Sequence, residues 1–500
     1  MIVASEIPST TGTARRLHGQ LAAIRTALRA EAEATLAAWE PALERAAFRS
    51  SARNLADYLA LRSVDLRPLQ DDLLALGLSS LGRCEAHVGP SLDAVISVLA
   101  ALAGMAPEPG PAPADFERAQ QVIAARRDAL FGPRSDGPET RVMVTLPTEA
   151  AENPDLIRRL IAAGADCVRI NCAHDGPEAW QAMVGHTRAA AREAGREIRV
   201  AMDLGGPKVR IERIEAEKKP RLFRGDRFLL AKTPDADAGG RVLATLSHPQ
   251  LIDHLRADSE IWIDDGKIGA RVIERAPSHA VLEVTSARDK GVKLKPEKGV
   301  NLPGVDIDIP ALTAADLAAL DTVMQHADIV GFSFVQTPED VRDLIAAMEE
   351  RREERDLPAL MLKIETQLAV RNLPRLIVQA GGALPVAVMI ARGDLAVEIG
   401  LERMSEIQEE LLWLCEAAQV PVVWATQVLD GLLKEGHASR AEATDAAMSQ
   451  RAECVMLNKG AYLPEAVQML RGILGRMDRH QSKKMARLGP LGSWRARQEL

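Results

Sequence analysis

Cysteine is scarce in this chain: five residues in 500 (Cys84, Cys167, Cys172, Cys415 and Cys454), an odd number, far apart and without a Cys-x-x-Cys pair. Such spacing supports neither a disulfide framework nor a zinc site. Aromatic residues make up only 3%, too few to interleave with bases along a nucleic-acid groove. Basic residues do not outnumber acidic ones. The balance is 62 Lys and Arg against 70 Asp and Glu, a formal charge of −8, which argues against a surface built to neutralise a phosphate backbone. No nucleic-acid partner is therefore expected, although one local cationic site for a small anion remains allowed. No uninterrupted apolar run reaches the ~18 residues that cross a bilayer, and the opening Met1-Ile2-Val3-Ala4-Ser5-Glu6 lacks a basic stretch followed by an apolar one. The expectation is a soluble cytoplasmic protein with no membrane partner.

What the chain does have is 47% hydrophobic residues, enough for several domains with sizeable cores. Leu17, Leu21, Ile24 and Leu28 recur at helical spacing. Further helical stretches follow at Leu55 to Leu61, Leu69 to Leu76 and Leu92 to Leu102, punctuated by Gly77 and Gly89-Pro90. A proline-rich connector spans 107–113, and after one more helix comes a break at Phe131-Gly132-Pro133. Residues 1–138 thus read as a helical N-terminal extension.

From residue 141 short apolar, β-branched runs alternate with helical segments. There are eight: Arg141 to Leu146, Cys167 to Ala173, Arg199 to Leu204, Ile329 to Val335, Ala359 to Glu365, Ala387 to Arg392, Pro421 to Gln427 and Cys454 to Lys459. Eight βα units predict an α/β fold, a closed (β/α)8 TIM barrel. An open doubly wound sheet is disfavoured because no run leads into GxGxxG or GxxxxGK[ST]. The third and fourth runs are separated by alternating stretches (Arg221 to Leu230, Glu260 to Ile263, Ala270 to Ile273, Ala280 to Thr285) and an Asp264-Asp265-Gly266 turn, which predict a small inserted β domain. The expected division is 139–210 and 298–482 for the barrel, 211–297 for a β lid, and a basic tail over 483–500.

Barrel enzymes build their sites at the C-terminal strand ends, so polar residues there are informative. The second run carries Arg169 and Asn171 before His174, the third ends at Asp203, the fifth at Lys363-Ile364-Glu365; the sixth runs into Arg392-Gly393-Asp394, and the seventh contains Thr426. Residues two apart on a strand share a face, so Lys363 and Glu365 point together. A lysine beside Glu365 and Asp394 is either a charge-satisfied structural network or a metal site with an electrophilic partner. Two carboxylates suit Mg²⁺, and the cations Arg169 and Lys363 suit a phosphoryl group. Magnesium-assisted phosphoryl transfer or enolate formation is the chemistry suggested.

The segments Arg169-Ile-Asn-Cys-Ala-His174, Met202-Asp-Leu-Gly-Gly-Pro-Lys-Val-Arg210, Lys298-Gly-Val-Asn-Leu-Pro-Gly304, Leu362-Lys-Ile-Glu365, Ala391-Arg-Gly-Asp-Leu395 and Ala425-Thr-Gln-Val428 resemble, in order, those of the pyruvate kinase family over about residues 140–475. The resemblance implies phosphoryl transfer between phosphoenolpyruvate and ADP, giving pyruvate and ATP. It implies Glu365 and Asp394 as ligands of Mg²⁺ or Mn²⁺, and Lys363, Arg169 and Thr426 as catalytic residues. Gly393, Asp394 and Thr426 would bind substrate, and Asn171, His174 and Arg210 the nucleotide. A homo-oligomer is expected.

Departures from the family pattern are equally specific. Ala173 and Asp203-Leu204 stand where hydroxyl ligands of a monovalent cation are usual, and Lys208 stands where potassium-dependent members carry glutamate. Lys208 is expected to supply the missing positive charge, with K⁺ not required, a solvent-exposed lysine being the alternative. After the eighth run, Leu457-Asn458-Lys459-Gly460-Ala461-Tyr462-Leu463-Pro464 replaces Leu-Ser-Gly-Glu-Thr, whose hydroxyl and carboxylate are associated with protonating the enolate, and Gln336 replaces a usual basic residue. The altered segment keeps two other readings open: a lyase or aldolase acting on pyruvate or oxaloacetate enolates, or a non-catalytic regulatory homologue. On this resemblance the family's usual C-terminal domain is expected to be missing, and the tail, with Lys483, Lys484, Arg487, Arg495 and Arg497, is expected to be a solvated end.

Overall fold

The computed structural model describes residues 10–487, apart from 107, 135, 217–219, 305–308, 353–354 and 484. Lys484, Arg495 and Arg497, with the opening residues 1–6 and Pro107 of the connector, lie outside the described residues. Five helices come first: α1 (Thr10–Trp39), α2 (Arg49–Arg62), α3 (Arg67–Ala75), α4 (Val88–Leu102) and α5 (Pro113–Phe131). Leu17, Leu21 and Leu28 form the buried stripe of α1, facing Leu92, Ile96 and Leu99 of α4. Gly89-Pro90 does not break a helix as the sequence reading expects. Both lie in the first turn of α4, where proline's missing N–H has no intrahelical acceptor to lose. One 18-residue stretch, Glu85–Leu102, is long and apolar enough by composition to cross a membrane. It is interrupted by charge, and the α4 side chains in it pack against α1.

The barrel strands are β1 (Arg141–Thr145), β2 (Cys167–Asn171) and β3 (Arg199–Asp203). An inserted region then contributes β4 (Ile211–Glu215), β5 (Arg221–Leu222), β6 (Arg227–Ala231), β7 (Val242–Leu246), β8 (Glu260–Ile263), β9 (Ile268–Arg275), β10 (His279–Ser286), β11 (Val292–Lys293) and β12 (Val300–Asn301). The barrel resumes with β13 (Ile329–Phe332), β14 (Ala359–Ile364), β15 (Val386–Ala391), β16 (Val422–Ala425) and β17 (Cys454–Leu457). All neighbours around the barrel are parallel, and the ring closes β1-β17-β16-β15-β14-β13-β3-β2. The helices between them are α6 (Pro154–Ala163), α7 (Pro177–Glu193), α8 (Ala314–His326), α9 (Pro338–Glu349), α10 (Gln367–Ala383), α11 (Arg392–Ile399), α12 (Leu401–Ala417), α13 (Asp430–Glu435), α14 (Arg440–Met448) and α15 (Leu463–Met477). A hairpin, β18 (Gln481–Ser482) with β19 (Met485–Ala486), follows.

Seven of the nine inserted strands form a sheet in the order β12-β8-β9-β10-β6-β7-β4, and β5 pairs with β11. The single strand expected over Arg221 to Leu230 is instead two, β5 and β6. Gly225 adopts a positive φ of 89° between them, and the Asp226 carboxylate accepts from the Phe223 N–H, which closes a turn.

Alternation along the barrel strands sorts the core into two layers. Val142, Val144, Val168, Val200, Leu360 and Leu362 face outward and pack with the helices, while Met143, Cys167, Ala201, Ile329, Met361, Met389, Val423, Cys454 and Met456 fill the interior. Leu130 and Phe131, at the end of α5, join the interior cluster and plug its floor. The N-terminal helices are therefore part of the barrel's packing. Their second anchor is α10, where Phe48 lies against Gly381 and a Cβ at Gly382 would run into the Ala42 carbonyl. The Arg45 N–H donates to the Gly382 carbonyl at 2.6 Å, and Asn54 donates to the Ala417 carbonyl at 2.8 Å.

This close approach makes Gly382→Ala a test of docking. The added methyl must push the 42–48 segment away, at a cost of about 1–3 kcal/mol typical of overpacking. Limited proteolysis should cut residues 40–48 in the variant before the barrel unfolds; an unchanged cleavage pattern would show the contact to be dispensable.

Candidate active site at the barrel rim

The interior rows that are apolar at the floor become polar at the top. Two residues beyond Cys167 lies Arg169, beyond Ala201 lies Asp203, beyond Ile329 Gly331 and then Ser333, and beyond Met361 Lys363 and Glu365. Strand periodicity therefore delivers these side chains to one rim. Arg169 Nε donates to Asp203 Oδ2 at 2.7 Å and its Nη1 to Thr145 Oγ1 at 3.2 Å. Lys363 Nζ lies 2.7 Å from Ser333 Oγ, 3.1 Å from Glu365 Oε1 and 3.5 Å from Asp203 Oδ2. Glu365 Oε2 accepts from the Phe334 N–H at 2.6 Å. Asp203 is fully buried, and its Oδ1 presses so close to Gly331 that any Cβ there would collide with it. Only glycine fits at 331.

Charge balance decides the protonation of this cluster. Burial pushes the Asp203 carboxyl up, but Arg169 and Lys363 beside it more than reverse this and leave it below its ordinary value. Burial likewise pushes Glu365 up; Lys363 opposes, but the nearby Asp394 adds to the rise, so its net direction is upward. Two carboxylates this close repel unless a cation intervenes.

Asp394 sits in the first turn of α11, and Lys208 Nζ reaches it at 2.8 Å. Burial lowers the affinity of Lys208 for its proton, but Asp394 outweighs that and holds the ammonium above its ordinary value. Lys208 is thus no solvated lysine: its side chain is 23% exposed and its charge is committed to the rim. Nearby, Ala173 lies against Gly205, and Leu204 is buried. These positions offer no side-chain oxygen to a monovalent cation.

The β16 end is strained. Thr426, Gln427 and Leu429 all have positive φ (66°, 57° and 51°), conformations that cost of order 1–3 kcal/mol each for side-chain-bearing residues. Arg392 holds this turn: it donates to the carbonyls of Ala425 (2.9 Å) and Thr426 (2.6 Å), pairs with Asp445 and stacks 4.6 Å over the Trp424 ring. Thr426 Oγ1 is buried without a hydrogen-bond partner among the described residues, and Gly393 leaves space beside it.

Arg169, Asn171, His174, Lys208, Arg210, Lys363, Glu365, Asp394 and Thr426 line one cavity of about 340 Å³. Gly393, the remaining expected residue, stands behind Thr426. Asp264, Asp265 and Lys298 of the inserted region roof it, with Lys298 paired to Asp264 at 2.8 Å. Arg210 is tied to the inserted region through the Glu297 carbonyl at 2.9 Å. A second cavity of about 320 Å³ shares Arg169, Asn171, His174 and Asn458 with the first and adds Thr148 and Lys459. Burial, Lys459 and Arg210 hold the His174 imidazole below its ordinary value. The sequence reading notes Asp203 and Arg392 as polar strand ends but gives them no role, and it passes over Ser333; all three position the site. Asp203 and Ser333 are legible as polar residues in interior strand register; the role of Arg392 is not, because its partner Asp445 lies 53 residues away.

A divalent metal fits the donor set. Glu365 and Asp394 offer hard oxygens beside a cavity, no group of three or more His, Cys, Asp or Glu forms a complete cage among the described residues, and Mg²⁺ commonly takes one or two carboxylates with the rest of its shell from water and substrate.

The inserted sheet meets α11 through Glu398 Oε1 and Asn301 Nδ2, 3.5 Å apart. Burial lifts the Glu398 carboxyl from 4.5 to about 7, against the hydrogen bond from Asn301, which lowers it, and with Asp394, which raises it. Because the folded value lies above the unfolded one, the associated stability is complete below about pH 4.5 and is lost as pH rises through about 7. Thermal unfolding at pH 5.5 and 8 should show that Glu398→Gln loses less stability over this interval than the parent; parallel losses would contradict the burial of this carboxyl.

The model of the pyruvate kinase barrel domain matches residues 137–467. Among curated relatives, pyruvate kinase of Agrobacterium vitis is 34% identical over 343 residues, 66% of this chain and 67% of that one. Pyruvate kinase of Methylorubrum extorquens is 32% identical over 347 residues (68% and 69%), and pyruvate kinase 1 of Trypanosoma brucei brucei 29% over 350 (68% of each). The closed barrel and the match over most of its length place this chain in the pyruvate kinase family.

Proposed function

We propose that this chain transfers a phosphoryl group from phosphoenolpyruvate to ADP, yielding pyruvate and ATP, with Mg²⁺ or Mn²⁺ and without K⁺. The observation that carries this reading is the gathering of Arg169, Lys363, Lys208, Glu365 and Asp394 around one cavity of about 340 Å³. Arg169, oriented by Asp203 and Thr145, holds the phosphate. Lys363, fixed by Ser333 and Glu365, faces the transferring group and offsets charge that spreads over its oxygens. Thr426 Oγ1 has its donor free for the substrate carboxylate, beside the Gly393 amide. Asn171, His174 and Arg210 take the nucleotide at the mouth shared with the second cavity. Glu365 and Asp394 would hold the divalent ion, which would supply Lewis-acid stabilisation of the enolate oxygen. The inserted region over the cavity limits water.

Lys208 stands in for the monovalent cation, its ammonium already bound to Asp394. One observation favours a second reading: β17 is followed by Asn458-Lys459, which offer no hydroxyl or carboxylate to return a proton to the enolate. A lyase or aldolase on pyruvate or oxaloacetate enolates would use the same metal and cations, but would need no nucleotide.

Pyruvate formation from phosphoenolpyruvate and Mg²⁺ should therefore require ADP, and be indifferent to K⁺. Glu365→Gln and Lys363→Met should each lower kcat by on the order of 10²–10³, as loss of an electrostatic stabiliser does. Metal-dependent substrate binding without turnover in the parent protein would sink the kinase reading.

Lys208→Glu gives a separate outcome. Activity should fall, and K⁺ should not restore it, since Ala173 and Leu204 provide no hydroxyl ligands; restoration to the parent rate by K⁺ would refute the substitution argument.

A further inference from the structure

The inserted region leaves the barrel after β3 and returns to it before α8, and one side chain holds the chain at both points. Asp316, in the first turn of α8, is only 3% exposed. At the point of return its Oδ2 accepts from the Thr313 N–H at 3.0 Å and from the Thr313 hydroxyl at 2.6 Å. This is a helix cap, and it needs only one carboxylate oxygen. Oδ1 reaches across to the point of departure, where it accepts from the N–H groups of Gly205 at 2.8 Å and Gly206 at 3.2 Å.

The departing loop has little slack around this contact. Gly206 adopts a positive φ of 69°, and a Cβ there would lie 2.9 Å from the Phe334 ring and 3.0 Å from Ser333. Ser333 Oγ donates to the Leu204 carbonyl at 2.7 Å, and Pro207 follows with its fixed φ. Lys208 comes next. Beyond it the departing and returning segments are paired: the Val300 N–H donates to the Val209 carbonyl and the Ile211 N–H to the Lys298 carbonyl, both at 2.8 Å. Gly299 lies over the Lys208 stem, where a Cβ would come within 2.8 Å of Cε. The stem of the inserted region is thus held at its base by Asp316 and above by backbone pairing, with Lys208 between.

We propose that Asp316 is a positioning residue for the rim: by tying the Gly205–Gly206 loop to the point of return, it sets where Lys208 emerges and so places the ammonium on Asp394. Asp316 stands outside the cavity and acts through Lys208. The effect of this placement on turnover rests on the kinase reading; the placement itself does not.

Amine acetylation of the intact protein, with the Lys208 peptide followed by mass spectrometry, reads the placement without turnover. In Asp316→Ala, Lys208 should be acetylated about fivefold faster than in the parent, the population change that loss of one net hydrogen bond brings. Thr313→Ala, which weakens the cap of α8 but leaves Oδ1 on the glycine amides, should keep the parent rate. Should Asp316→Ala fail to fold by circular dichroism, Asp316→Asn takes its place with the same expectation, because one amide oxygen cannot serve both Thr313 and the glycines. A Lys208 rate unchanged by loss of the carboxylate, or raised equally by Thr313→Ala, would overturn the proposal. Pyruvate formation supplies a second arm. The Asp316 variant should lower kcat/KM in the parent but add little in Lys208→Met; equal losses in both backgrounds would reduce Asp316 to a helix cap and overturn its positioning role. If the parent forms no pyruvate while the labelling result holds, the kinase reading fails and the placement stands.

Discussion

A buried carboxylate must be paired or protonated, and the rim of this barrel is organised around that constraint. Asp203 is fully buried, between Arg169 and Lys363. An unpaired charge there would cost several kcal/mol, far more than a surface pair contributes. The pairing fixes both cations at once, so Arg169 and Lys363 arrive at the cavity already oriented. Ser333, Glu365 and the Phe334 N–H then lock the lysine and its neighbouring carboxylate in turn. Preorganisation of this kind is what an electrostatically assisted transfer needs, since the charges need not be rearranged as the reaction proceeds.

The same constraint reaches into the barrel wall. Asp203 Oδ1 can sit where it does only because Gly331 has no side chain, and Thr426 can present its hydroxyl only because Arg392 holds a strained turn in place. The stability for this comes from below: a sulfur-rich and aliphatic interior, plugged by Leu130 and Phe131, and a ring of helices outside. The N-terminal helices contribute to both, through α5 at the floor and through the Phe48 and Ala42 contacts on α10. They are built into the barrel rather than appended to it.

Much of this was legible in the sequence, for a physical reason. Eight short apolar runs, each with polar residues in register at its end, leave few alternatives to a parallel barrel with one chemical face, and the interior period of two carries Arg169, Asp203, Lys363 and Glu365 to the same rim. Lys208 was legible as a substitution, but its bond to Asp394 was not, since it spans 186 residues. The break inside Arg221 to Leu230 is hard to read because its signal, Arg224-Gly225-Asp226-Arg227, is short and set between the apolar pairs Leu222-Phe223 and Phe228-Leu229. Lys483, expected in a solvated tail, instead pairs with Glu453, and this contact is hidden from the sequence for a different reason. A basic stretch near a chain end reads as solvated unless its partner is known, and Glu453 belongs to a strand entry 30 residues earlier.

The proposed divalent-metal site would be made by Glu365 and Asp394 together with the substrate. Titration of Mn²⁺ followed by electron paramagnetic resonance, with and without phosphoenolpyruvate, tests it without requiring turnover. The account predicts that phosphoenolpyruvate tightens Mn²⁺ binding to the parent protein and that Asp394→Asn abolishes the effect. Mn²⁺ binding that ignores both the substrate and the Asp394 substitution would contradict it.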